Sequence, residues 1–175
     1  MWPKGSPRPG VSTLNNLTGT IVANAAIVPA GPDGGIATYV DQRTQLVGDI
    51  DGYFAPAGQG GMSLYPTAPC RVLDTRQGNG NFTGELAVDV VDSACAPPST
   101  ARAYVLNATV VPTASFGYLT LWPDGTGQPL VSTLDAIDGA IASNTAIVPT
   151  NNGKIDAYAS GLTQLILDIS SYFAP

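Results

Sequence analysis

Two cysteines, a short arginine and aspartate segment, and two tryptophans are the residues of this chain whose types and spacing could do chemistry. Cys70 and Cys95 each stand beside proline-rich turn sequence, Pro66-Thr-Ala-Pro-Cys70 and Cys95-Ala-Pro-Pro98. A dithiol redox pair favours C-x-x-C spacing, which is absent, so one structural disulfide closing a loop is the stronger reading. Such a bond points to an oxidising, extracellular compartment. The segment Arg71-Val-Leu-Asp74-Thr-Arg76 supplies guanidinium donors for a carboxylate, and Asp168 is the expected acceptor in a structural ion pair. Catalysis or metal binding by the same aspartates is the weaker reading. Trp2 and Trp122, with Phe116 and Tyr118 extending a platform, could stack on sugars, although each Trp precedes Pro and a Gly-containing loop, which suits packing at a strand end.

Acid and base catalysis has little to work with. The chain has no His, the commonest general base and metal ligand, so Ser-His-Asp and Cys-His hydrolases and His-ligated metal sites are not expected. Its 13 acidic residues include a single Glu, Glu85, so a glycosidase pair would have to be mostly Asp. Asp49-Ile-Asp51-Gly52 has the start of a calcium loop without the later ligands of an EF-hand. No catalytic residue, metal site or cofactor is expected; an isolated Ca²⁺ at a turn aspartate, Asp33 or Asp124, is the weaker alternative.

The elements that position these residues follow from composition. With 20 Gly and 15 Pro in 175 residues and no collagen period, the chain turns often and long helices are disfavoured. Since 44% of residues are hydrophobic and only 11% charged, with net charge −6, the chain folds rather than remaining disordered. The expected class is all-β, a β-sandwich built from hairpins in a Greek-key or jelly-roll-like manner. Seven scattered Lys and Arg form no basic stripe, so nucleic acid is not an expected partner. No apolar run approaches the length of a membrane span.

An internal repeat organises the chain. Residues 2–56 realign on 122–175 with one single-residue gap: Trp2-Pro3 meets Trp122-Pro123, Val11-Ser-Thr-Leu14 meets Val131-Ser-Thr-Leu134, Ile27-Val-Pro29 meets Ile147-Val-Pro149, and Tyr53-Phe-Ala-Pro56 meets Tyr172-Phe-Ala-Pro175. Half of the aligned positions are identical. The domain boundaries expected are therefore a second half-unit at 1–56, a Gly-rich linker at 57–61 and a complete unit at 62–175. Among the acidic residues, only Asp49 and Asp168 keep the same residue at the same aligned place, so paired catalytic carboxylates are not maintained.

A weaker repeat reads as strand, Pro-capped turn with Gly, strand: Asn107-Ala-Thr-Val-Val-Pro112 before Gly117-Tyr-Leu-Thr-Leu121, Asn144-Thr-Ala-Ile-Val-Pro149 before Gly153-Lys-Ile-Asp-Ala157, and Asn24-Ala-Ala-Ile-Val-Pro29. Each is expected to be a β-hairpin, with the Asn amide satisfying backbone groups at a strand irregularity. In Leu165–Phe173 the apolar residues 165, 167, 169 and 173 alternate with Asp168, Ser170 and Tyr172, which predicts a strand with a well-specified register.

The segments Tyr65-Pro-Thr-Ala-Pro-Cys-Arg-Val-Leu-Asp-Thr-Arg76, Gly117-Tyr-Leu-Thr-Leu-Trp-Pro123, Pro129-Leu-Val-Ser-Thr-Leu134 and Asp168-Ile-Ser-Ser-Tyr-Phe-Ala-Pro175 together resemble a bacterial extracellular repeat domain that occurs in tandem in large secreted or surface proteins. The resemblance spans the complete unit, and 1–56 match its second half. It implies export, the Cys70 to Cys95 disulfide and a non-enzymatic role. A lone half-sandwich exposes apolar faces and an open sheet edge. Three arrangements follow: a fragment of a longer array, completion by a neighbouring protomer, or packing of 1–56 with 62–121 that frees the C-terminal half. The last two give head-to-tail contacts between copies of the chain, which propagate into filaments. The expected function is that of an extracellular or cell-surface structural repeat module that self-associates. A carbohydrate-binding module with polysaccharide as partner is the alternative, and an Asp-dependent glycan hydrolase a third.

Overall fold

Runs of β-branched and aromatic residues broken by Pro and Gly become strands throughout the complete unit. The computed structural model describes residues 1–56, 58, 60–78 and 80–175; parts of the expected linker 57–61 and the centre of the turn Gly78-Asn79-Gly80 fall outside the described residues. The strands are β1 (Trp2–Pro3), β2 (Ile36–Ala37), β3 (Ser63–Asp74), β4 (Phe82–Asp89), β5 (Ala103–Pro112), β6 (Tyr118–Pro123), β7 (Leu134–Asp135), β8 (Ala142–Pro149) and β9 (Lys154–Ala174). One 3₁₀ turn, Thr75–Gln77, joins β3 to β4 and is capped by Asp74, whose carboxylate accepts from the Arg76 N–H. The chain is all-β, as composition implies.

β9 organises the complete unit. Its 21 residues would span about 70 Å if straight, yet both of its ends lie at the start of β5. Phe173 pairs with Ala103, while the Gly153 carbonyl accepts from the Tyr104 hydroxyl at 3.3 Å and the Arg102 carbonyl from the Thr150 N–H at 2.8 Å. β9 therefore folds back on itself. The bend falls near Gly161, where a Cβ would stand 2.6 Å from the Phe116 carbonyl oxygen, so only Gly fits the corner. The first half of β9 pairs antiparallel with β4 and β6, and its second half with β3 and β5. β7 extends the first layer and β8 the second. Two four-stranded layers thus face one another, with Ile155, Ala157 and Ala159 from one against Leu165, Leu167 and Ile169 from the other. Each fully buried aliphatic side chain contributes about 1.5–3 kcal/mol.

The expected hairpins do not form. β5 and β6 do not pair, and neither do β8 and β9; each member joins a different layer, so the connections are sandwich corners. Pro112 and Pro149 mark the crossing points, because Pro has no N–H with which to continue a ladder. The alternation of the last strand holds through Leu165, Leu167 and Ile169, and then slips by one residue at Ser170, where β9 bulges against β5. Phe173, expected on the core face, is left half-buried.

Residues 1–56 repeat the same local framework without the sandwich. Their one ladder pairs Trp2 with Ala37 and Pro3 with Ile36, the register that pairs Trp122 with Asp156 and Pro123 with Ile155 in the complete unit. The Trp2 indole donates to the Ser6 carbonyl at 3.0 Å, and the Trp122 indole to the Thr126 carbonyl at 3.0 Å. The Asn24 amide donates to the Thr13 carbonyl at 2.7 Å, and the Asn144 amide to the Thr133 carbonyl at 2.8 Å. Asn107, the third member of that set, instead bonds the Thr109 hydroxyl.

What residues 1–56 lack follows from which ladders need the other half. β8 pairs with β5, and β9 with β3, β4 and β5, all of them first-half strands. Only the Trp122 and Pro123 pairs of the β6 to β9 ladder lie within residues 122–175, and their counterparts at Trp2 and Pro3 are the ones that form. The first-half strands are themselves held by β9, so the arrangement in which 62–121 pack with 1–56 and free the C-terminal half is not adopted.

Candidate functional site

The disulfide lies at the rim of the second layer. Cys70 on β3 and Cys95 in the loop after β4 are bonded at a Cα separation of 5.7 Å, beside a shallow depression formed with Pro66, Pro97, Pro98 and Tyr172. Both cysteines are consumed, so no thiol chemistry is available there.

Next to Cys70, β3 carries the ion-pair segment across to β9. Arg71 donates to Asp168 through Nε and, at 3.3 Å, Nη2, and to Asp74 through Nη1 at 2.9 Å. Arg76 closes a two-pronged contact on Asp74, from Nε at 2.8 Å and Nη2 at 2.7 Å. The Asp74 side chain is only 5% exposed. Its carboxyl is held well below the usual carboxylate range, chiefly by the Arg76 side chain and further by the Arg76 N–H and Arg71. A carboxylate so saturated with donors is a poor base and a poor metal ligand, so this arrangement ties the end of β3 to β9.

The other aspartates are dispersed. Asp33 is bonded to Lys4 at 2.6 Å and to the Gly35 N–H, and Asp124 accepts from the Asn152 amide at 2.6 Å. Among the described residues no three acidic or cysteine side chains converge as metal ligands do.

The aromatic platform is corrected by burial. Phe116 is 4% exposed and packs in the core of the complete unit, and Trp122 is 3% exposed at a cavity it shares with Asp49, Ile50 and Asp51, so neither presents a face to a sugar. Trp2 is half-buried in its own turn, and Tyr118 remains at the surface, tilted against Tyr158 with ring centroids 5.8 Å apart. The four residues do not form one surface: alternation on β6 turns Leu119 and Leu121 to the core and leaves Trp122 on the same side of the strand as Tyr118, but Trp122 and Phe116 are buried and Trp2 belongs to the other copy.

The feature that chemistry-seeking residues do not reveal is the apolar face of residues 35–55. Leu46, Val47 and Ile50 are 56%, 83% and 89% exposed, whereas their aligned counterparts Leu165, Ile166 and Ile169 are 0%, 7% and 1% exposed. Tyr53 and Phe54 are exposed too. The two copies touch: the aligned Phe54 and Phe173 rings lie 5.9 Å apart, and the Ala25 N–H donates to Asn144 Oδ1 at 3.0 Å. Asp49 to Asp51 lie over Trp122 and Pro123, and partial burial, with the Asp49 charge second, pushes the Asp51 carboxyl up. The internal alignment contained this signal, since it places core residues in a half without partner strands. Among the described residues no helix is long and apolar enough to cross a membrane. Comparisons with protein-family models, curated proteins and solved structures found no match.

Proposed function

We propose that this chain is a non-enzymatic structural repeat module of an extracellular or cell-surface array, and that residues 1–56 are its association surface. The observation that carries the reading is the contrast between aligned residues, Leu165 and Ile169 buried and Leu46 and Ile50 exposed, on a framework built twice with the same register and the same side-chain bonds. Large apolar side chains exposed this close together along the chain, at Leu46, Val47, Ile50, Tyr53 and Phe54, mark an interaction surface. The disulfide fits an oxidising compartment, and the arginine and aspartate network serves cohesion between β3 and β9. Size-exclusion chromatography with light scattering tests the reading. Association of identical copies rests on contact between these exposed apolar residues, and the full chain is expected to associate increasingly with concentration; a strict monomer throughout would refute self-association.

A further inference from the structure

The exposed face of residues 35–55 has a template for its occupant inside the same molecule. In the complete unit the strand that carries Leu165, Ile166 and Ile169 is bracketed by β3 and β5, with Ile169 opposite Cys70 and Leu106, Asp168 opposite Arg71 and Asn107, and Tyr172 opposite Tyr65 and Tyr104. The aligned residues Ile50, Asp49 and Tyr53 have the same chemistry in the same order and no strand on either side. Building on the array reading, we infer that residues 1–56 bind a first-half segment of the same repeat, equivalent to residues 62–121, by strand complementation in the register of the complete unit.

Charge agrees with this choice of occupant. Asp168 takes Arg71 from β3, and its aligned residue Asp49 makes no ion pair among the described residues, so in the register of the complete unit it would stand opposite an incoming Arg71. Stoichiometry excludes the simplest donor. Residues 1–175 hold two second halves and one first half, and β9 already holds that first half. A copy that lent its first half to a neighbour would break one sandwich to make another, so exchange between identical chains has no net driving force. The occupant is thus an additional first half, presented by another module of an array. Main-chain pairing supplies affinity in such complementation and the alternating side-chain pockets supply specificity.

The test mixes the full chain with a synthetic segment of residues 62–121, its Cys70 to Cys95 disulfide closed, and follows binding by calorimetry and strand content by circular dichroism. One-to-one binding with a gain in strand signal is expected. Asp49→Arg should weaken it at least tenfold and Ile50→Asp should abolish it, with the melting temperature of the complete unit unchanged in both. A segment insoluble alone is replaced by a fusion that places a second copy of residues 62–121 directly before Trp2; it should be monomeric, with doubled strand signal. Association of the full chain that the segment neither binds nor dissolves would overturn the inference and leave the array reading standing. A chain monomeric alone that still binds the segment would support the inference while refuting self-association, and a fusion without strand gain would overturn the inference.

Discussion

Asp74 sits between two guanidinium groups, and its lowered pKa sets the sign of its contribution to stability. A carboxylate with a folded pKa below its unfolded value of about 3.9 stabilises above that pH, and the contribution is lost as pH falls through the folded pKa. Asp74→Asn should therefore lower the melting temperature at pH 7, and the gap to the parent should begin to narrow as pH falls below about 4 and go on narrowing through the acid range in titrations followed by circular dichroism. Trp122 makes a second residue-scale prediction. Almost fully buried, with its indole bonded to Thr126, its replacement by Ala should destabilise by about 3–5 kcal/mol in urea titration, whereas Trp2→Ala, in the half-unit, should cost less than about 1 kcal/mol. Equal costs would contradict the assignment of Trp122 to packing.

At the scale of elements, the disulfide and the bent strand hold the sandwich together. Reducing the bond, or Cys70→Ser with Cys95→Ser, frees a 25-residue loop and should destabilise the complete unit by about 3 kcal/mol. Ile169→Ala on β9 should cost about 2–5 kcal/mol, while the aligned Ile50→Ala should stay within about 0.5 kcal/mol in the uncomplexed chain. The strand class and the last strand's alternation through Ile169 were legible because each is a local pattern along the sequence. The corners were not: Pro112 followed by Gly117 signals a reversal equally well whether the chain pairs with itself or crosses to a facing layer, and only the long-range partner decides. The one-residue slip at Ser170 was hidden for the same reason, since a bulge depends on the geometry of β5 opposite.

On the scale of the whole molecule, residues 2–56 and 122–175 share sequence and a local framework, and only the second is enclosed by partner strands. Identical registers at Trp2 and Trp122, with matching Asn24 and Asn144 bonds, establish that the half-unit retains the local preferences of the full one. The missing strands alone separate an exposed Ile50 from a buried Ile169. Sequence reasoning found the surplus half but searched for chemistry among Trp122 and Phe116, because aromatic residues look alike in a core and on a binding face until burial is known. Amide hydrogen exchange across residues 44–54 of the full chain, with and without the disulfide-closed segment 62–121, tests the central claim most directly. The account predicts weak protection alone and, with the segment bound, protection approaching that of residues 163–173; protection unchanged by saturating segment would contradict it.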